Sequence, residues 1–151
     1  MTSRRTKTPV SYSAAEMFDL VADVERYPEF LPHCVALRIL SQDIVDGAGT
    51  LTAEMIVAYG AFRERFKSHV RLNQTSLTIE ARYLDGPFRK LHNFWRFTDM
   101  KDGSEVDFTI DFEFRSFFLQ AAAATVFERA FEKMSEAFVE RADEVYGRKA
   151  V

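Results

Sequence analysis

The sequence predicts an α+β fold in which a seven-stranded antiparallel sheet wraps around one long C-terminal helix, with two short helices after the first strand. Three patterns predict it: helical spacing after Ser13, alternation of apolar and polar residues over residues 35–115, and helical spacing again after Arg115. With 151 residues, 47% of them hydrophobic, the chain fits a single domain over residues 1–151.

The first helix is predicted to begin at a capping box, in which the Ser13 hydroxyl accepts a hydrogen bond from the backbone of Glu16 and the glutamate reaches back. Pro28 is expected to end this helix. A strand that carries Val10 should precede the helix and pair with the last strand. The apolar positions of the helix are Met17, Leu20, Val21 and Val24.

Residues 26–34 form an apolar segment that contains two prolines. Each proline fixes its own φ and pushes the preceding residue toward an extended conformation, so only a short kinked element fits between them. A segment this apolar must rest on the core as a plug or cover a cavity as a flap. The flap is favoured because Phe117, Phe118 and Leu119, in an uncharged stretch at residues 116–127, could meet the segment and form a mouth with it.

Turn signals divide residues 35–115 into six strands of a meander with one apolar and one polar face. These signals are Asp46-Gly47, Tyr59-Gly60, Asn73-Gln74, Asp85-Gly86-Pro87 and Asp102-Gly103. One strand carries a basic row on its polar face, made of Arg63, Arg65, Lys67, His69 and Arg71. This row is interpreted as a solvated surface or, alternatively, as a docking site for the phosphate of a lipid headgroup or of RNA.

Helical spacing after Arg115 predicts a helix of about thirty residues that lies on the apolar face of the sheet. The chain has fifteen phenylalanines, so an interior rich in aromatic rings is expected. By composition this interior is either a dense core or a pocket. A cavity is favoured because Glu64, Ser68 and Asn93 fall in the inward phase of their strands. Buried polar groups need partners, which protein, water or the oxygen atoms of a ligand can supply.

No catalytic or metal-binding motif is present. His33, His69 and His92 lie at no metal-ligand spacing, and the single cysteine, Cys34, has only His33 beside it in sequence. The sequence therefore predicts no enzyme activity, no catalytic residue, no metal and no covalent cofactor. The net charge of −3 argues against a DNA partner. A cytoplasmic location is expected, with at most peripheral contact at the inner membrane.

Four segments, taken in order, resemble the START-like coenzyme Q-binding proteins and equally the ribosome association toxin branch of the same polyketide cyclase/dehydrase superfamily. They are residues 23–34, residues 85–91 with Trp95-Arg96-Phe97, residues 111–114 and residues 141–146. The resemblance implies a helix-grip (START/Bet v 1-like) fold around a hydrophobic tunnel. The first branch implies ubiquinone as the ligand and a role in respiratory electron transport. The toxin branch implies binding to a ribosomal subunit and inhibition of translation.

The leading hypothesis is therefore a non-enzymatic protein that holds ubiquinone, a polyisoprenoid quinone, in this tunnel. Tyr27, Phe30, Leu31 and Pro32 are expected to gate entry. The other expected ligand contacts are Tyr59, Tyr83, Asn93, Trp95, Phe108, Phe127, Phe131 and Met134. A second hypothesis is ribosomal-subunit binding through the basic row, and a third is a cyclase or hydrolase that uses Glu64 in the same cavity. The resemblance also puts His33 where the quinone-binding branch often has tryptophan.

Overall fold

A computed structural model describes residues 2–59 and 62–147, with all their side chains except those of residues 2, 59, 62, 119 and 122–128. Seven strands are present in it: β1 (Thr2–Val10), β2 (Cys34–Val45), β3 (Ala48–Tyr59), β4 (Phe62–Asn73), β5 (Thr78–Asp85), β6 (Phe88–Met100) and β7 (Gly103–Phe114). The helices are α1 (Ala14–Ala22), α2 (Tyr27–Phe30) and α3 (Phe117–Tyr146), with a 3₁₀ turn at Val24–Arg26.

The strands form one antiparallel sheet in the order β1-β7-β6-β5-β4-β3-β2. The six later strands are a meander, and β1 closes the sheet against β7 with Val10 opposite Ser104 and Thr2 opposite Phe112. Both the meander and the pairing of the first strand with the last confirm the predicted topology. The long C-terminal helix follows the sheet, so the predicted α+β helix-grip architecture is confirmed as well.

Helix α1 begins at the predicted capping box. The Ser13 hydroxyl accepts from the Glu16 amide at 3.1 Å, and the Glu16 carboxylate accepts from the Ser13 amide at 3.1 Å. The prediction that Pro28 ends this helix was wrong, because α1 ends at Ala22 and Pro28 lies in the first turn of α2. A proline is tolerated there because the amides of a first turn have no helical partner to lose.

The core is densest where α3 faces β6 and β7. All inward residues of β7 are buried, namely Ser104, Val106, Phe108, Ile110, Phe112 and Phe114. Trp95 on β6 lies 4.2 Å from Phe108 and 5.1 Å from Phe138 between ring centroids, and Phe108 lies 5.5 Å from Phe131. Burying rings of this size supplies much of the free energy that holds the helix on the sheet.

The two ends of the molecule differ in what they contain. The end where α3 begins, called the proximal end, also holds the start of β4 and the β5–β6 turn. The end where α3 finishes, called the distal end, holds the β2–β3, β4–β5 and β6–β7 turns. Tyr146 fixes α3 at the distal end by donating its hydroxyl proton to the Glu16 carbonyl at 2.8 Å, and Tyr12 bonds to Asp143 nearby.

Candidate ligand site between the sheet and the C-terminal helix

The inner face of β3, β4 and β5 is closed at its distal end and partly open at its proximal end. Its distal residues are buried: Leu51, Ala53, Val70, Leu72 and Ile79. Its proximal apolar residues are only half-buried: Met55, Val57, Phe66, Ala81 and Tyr83. The proximal half of this inner face is therefore less completely covered than the inner face of β7, whose inward residues are all buried.

Three polar side chains face inward in or beside this half-buried region. Register places Glu64 opposite Val57, Ser68 opposite Ala53 and Asn93 opposite Ala81. All three are half-buried, and none forms a hydrogen bond or ion pair with another residue of the described ranges. None of their polar atoms is among the fully buried, unpaired ones, so water or the oxygen atoms of a ligand can serve as their hydrogen-bond partners.

Tyr83 belongs to an aromatic group beneath the β5–β6 turn. Its hydroxyl accepts from the Phe88 amide at 3.2 Å, and the two rings meet edge to face at 5.6 Å. Phe88 also contacts Phe66 at 5.7 Å and stacks on Phe114 at 4.5 Å. Phe66 and Phe88 were absent from the predicted ligand contacts, although the inward phase of β4 already pointed to Phe66.

The segment that carries Tyr27, Phe30, Leu31 and Pro32 is seated on the distal half of α3. Tyr27 and Phe30 lie edge to face against Phe138, with ring centroids 5.5 and 5.3 Å away. The Tyr27 hydroxyl donates to the Val21 carbonyl, and burial raises the pKa of this phenol well above its usual range. Leu31 and Pro32 are half-buried beside them.

Two arginines, Arg26 and Arg141, contact the same segment on its solvent side. The Arg141 guanidinium lies 5.2 Å from the centre of the Phe30 ring and 2.9 Å from the Glu29 carboxylate. Arg26 contacts the same carboxylate at 3.0 Å. Two hydrogen bonds hold the pKa of Glu29 below its usual value, and the one from Arg26 has a larger effect than the one from Arg141. The segment is thus a plug fastened to α3.

The expected meeting of this segment with the start of α3 was wrong. Phe117 and Phe118 are exposed, and the segment packs on Phe138 instead. The physical reason is that Phe138 offers a buried aromatic surface and Arg141, one turn later, offers a charge for Glu29. Leu119, the third residue of the expected mouth, has a side chain outside those the structure describes.

The other predicted ligand contacts fall into separate groups. Trp95, Phe108 and Phe131 belong to the buried wall under β6 and β7, with Met134 packed against it. Tyr83 and Asn93 lie on half-buried inner-face positions. The Tyr59 and Phe127 side chains lie outside the described part of the chain.

A small cavity lies between β1, α1 and α3. Its volume is about 20 Å³, and Thr6, Thr8 and Ser135 supply hydroxyl groups to a wall that also includes Trp95 and Val139. A cavity of this size holds about one water molecule. It is too small to hold a quinone, although two of the expected ligand contacts, Trp95 and Phe108, line it.

The histidines and the cysteine do not assemble into a reactive centre in the described ranges. His33 adopts φ 70° and its Nδ1 lies 3.2 Å from the Ala58 carbonyl oxygen, while His92 contacts Glu80 at 2.9 Å on the outer face. Burial raises the pKa of the Cys34 thiol to about 11, which keeps the thiol protonated and unreactive at neutral pH. No cluster of three or more His, Cys, Asp or Glu side chains that could hold a metal ion occurs within residues 2–59 and 62–147.

The basic row lies on the outer face of β4. Lys67 stands opposite Glu54 and Arg71 opposite Glu80 on the neighbouring strands. Glu54 is contacted by Arg38 at 3.2 Å and by Arg65 at 3.9 Å. Carboxylates of adjacent strands therefore offset part of the positive charge of the row. None of the helices in the described part of the chain is long and apolar enough to span a bilayer.

Comparisons with known proteins give this architecture a family. A family model described as polyketide cyclase / dehydrase and lipid transport matches residues 10–139. The ribosome association toxin RatA of Escherichia coli K12 is 36% identical over 138 residues, which are 91% of this chain and 84% of that protein. The coenzyme Q-binding protein COQ10 homolog B of Xenopus laevis is 31% identical over 147 residues, 94% of this chain and 58% of that protein.

A solved structure agrees along nearly the whole chain. The solution structure of the 18 kDa protein CC1736 from Caulobacter crescentus matches with a TM-score of 0.81 and 33% identity, and the match covers 97% of this chain and 99% of that one. Likeness in sequence and in fold thus runs over the same residues that build the sheet and α3. The chain belongs to the polyketide cyclase / dehydrase and lipid transport family.

Proposed function

We propose that the protein is a non-enzymatic carrier that binds ubiquinone, or a polyisoprenoid quinone like it, between the sheet and α3 and so supports respiratory electron transport. One observation carries the proposal. The proximal inner face of β3–β5 is apolar and half-buried, and the side chains of Glu64, Ser68 and, on β6, Asn93 lie in or beside it without partners among the described residues. An apolar tail would gain about 25 cal/mol for each Å² buried, and polar groups would orient the quinone oxygens.

The absence of assembled catalytic groups in the described ranges supports a binding role over the cyclase or hydrolase alternative. Glu64 is the inward carboxylate that such an enzyme would need, and no described side chain is hydrogen-bonded to it. General acid–base chemistry usually requires a second group in hydrogen-bond reach of the substrate or of the first group. The protein's likeness to COQ10 homolog B also favours the carrier.

The single tryptophan provides a direct test of the carrier proposal. Trp95 lies in the wall beneath α3, two residues from Asn93, so a quinone bound beside it should quench its fluorescence. Titration with a short-tailed, water-soluble ubiquinone analogue should give saturable quenching in the native protein. Linear quenching equal to that of free tryptophan would reject the proposal.

A second function is favoured by a different observation. The relative named ribosome association toxin RatA is more similar in sequence than COQ10 homolog B, and an outward basic row suits contact with ribosomal RNA. If this function holds, the protein should co-sediment with one ribosomal subunit and be released as salt rises. Reversing Arg63, Arg65 and Lys67 to Glu should abolish co-sedimentation. Reversing Lys101 to Glu in the β6–β7 turn is the matched control and should leave it unchanged.

A further inference from the structure

The proximal end exposes an apolar patch that the carrier proposal leaves without a role. This proximal patch consists of Phe117, Phe118 and Leu84, which are 90%, 79% and 54% exposed. The start of α3 is fixed beside the β5–β6 turn because Arg115 donates its backbone amide to the Pro87 carbonyl at 3.0 Å and its Nε to the Phe88 carbonyl at 3.0 Å. Three large apolar side chains therefore stand in water at one end of the molecule.

Four basic side chains lie at the same end of the molecule as the proximal patch. Arg63 and Arg65 lie near the start of β4, and Arg89 and Lys90 lie near the start of β6; all four are exposed. The β5–β6 turn sits against β4 so closely that a Cβ on Gly86 would lie 3.0 Å from the Arg65 carbonyl oxygen. Arg63, Arg89 and Lys90 form no ion pair with any residue in the described ranges. The acidic residues beside these charges are Asp85 in this turn and Glu113, which stands opposite Lys90 on β7.

The distal end has the opposite character. Its turns and the end of α3 expose Asp46, Asp102 and Glu144, and the whole chain has a net charge of −3. A negatively charged surface would therefore attract the proximal end and repel the distal end. Positive charge around protruding aromatic and aliphatic side chains is the combination that binds the interface of an anionic bilayer.

We infer that the proximal patch docks on an anionic lipid bilayer, with Phe117 and Phe118 entering the headgroup region and Arg63, Arg89 and Lys90 lying against lipid phosphates. This inference rests on the proposed function, because docking would serve the exchange of quinone with the bilayer. The docked end is the end toward which the inner face of β3–β5 opens, so a quinone could pass between bilayer and protein without crossing water. A bilayer is favoured over RNA because the patch centres on unpaired apolar side chains, with the positive charges around them.

Flotation with lipid vesicles tests this docking. Native protein should float with vesicles of phosphatidylcholine mixed with phosphatidylglycerol at low salt, and it should float poorly with pure phosphatidylcholine or at high salt. The double variant Phe117→Ser, Phe118→Ser should lose about ten-fold or more in bound fraction, and Arg89→Glu with Lys90→Glu should do the same. Because all four side chains are exposed, folding should be unaffected, which circular dichroism can verify.

The matched control is Val45→Ser with Met100→Ser, which removes two exposed apolar side chains from the distal end. It should float like the native protein. Failure of the native protein to float with anionic vesicles at low salt would overturn the inference, and so would equal loss in the control variant. The inference would also be overturned if the protein did not bind vesicles but co-sedimented with ribosomal subunits in a way that required Phe117 and Phe118.

The two proposals fail in different ways. Quenching of Trp95 by the water-soluble analogue needs no membrane, so the Phe117→Ser, Phe118→Ser variant should bind the analogue as the native protein does. Vesicle docking without analogue binding would remove the carrier proposal and leave the docking surface standing. Analogue binding without vesicle docking would remove the docking inference alone.

Discussion

At the scale of single residues, Asn93 is the most informative position in the molecule. It lies on the inner face between Ala81 and Ile110, and its amide is half-buried without a hydrogen bond to any described side chain or backbone group. Nothing in the described fold uses this polarity, and an apolar residue would pack at least as well there. If the carrier proposal holds, an oxygen atom of the bound quinone is the hydrogen-bond partner of this amide.

Replacing Asn93 by Leu should therefore weaken binding of the quinone analogue without lowering the stability of the fold. The loss of one hydrogen bond to the ligand corresponds to about 1 kcal/mol, or roughly five-fold in the dissociation constant measured by Trp95 quenching. The melting temperature of the free protein should stay level or rise. Thr52→Val, the same kind of change on the outer face of β3, should alter neither quantity. Unchanged affinity in Asn93→Leu would exclude Asn93 from the site.

At the scale of elements, α2 behaves as a plug whose attachment depends on charge. Glu29 accepts from both Arg26 and Arg141, and these bonds lower its pKa in the folded state. A group with a lowered folded pKa contributes stability above its unfolded pKa and loses that contribution as pH falls through the folded value. The charge contribution to the attachment should therefore be complete at neutral pH and absent in acid, while the ring contacts of Tyr27 and Phe30 with Phe138 remain.

Glu29→Gln should lower the melting temperature by at most a few degrees at neutral pH, because exposed ion pairs contribute little. The difference between variant and native protein should vanish at pH values below the lowered pKa of Glu29, where the native carboxylate is protonated too. Thermal melts of both proteins from neutral to acid pH measure this difference in melting temperature. Glu140→Gln, on the exposed side of α3, is the control and should show no such pH-dependent difference. A difference that persists unchanged into acid would contradict the charge attachment.

Elements with local signals could be predicted from the sequence, and contacts between distant elements could not. The Ser13 capping box and the period-two strands are set by neighbouring residues, so both were predicted and are confirmed. The position of α2 depends on which turn of α3 lies beneath it, and the sequence favoured the uncharged stretch at residues 116–127. Only the fold shows that Phe138 and Arg141 lie there while Phe117 and Phe118 stay exposed.

At the scale of the whole molecule, the burial of inward side chains differs between two regions of the sheet. The space beneath β6 and β7 is filled by Trp95, Phe108 and Phe131, while the proximal half of β3–β5 is half-buried and carries polar groups. Alternation in the sequence predicts which face of each strand is inward, but it assigns the same apolar face to both regions. The fold adds that Phe131 and Phe138 of α3 pack against Phe108 and Trp95, which makes the region under β6 and β7 a buried wall.

The central claim is that this half-buried inner face holds a polyisoprenoid quinone. The most direct measurement is mass spectrometry of a lipid extract from the protein purified from quinone-containing cells, with Asn93→Leu purified in parallel. We expect a quinone in near-stoichiometric amount with the native protein and clearly less with the variant. Repeated absence of quinone from the native protein, together with no binding on titration, would contradict it.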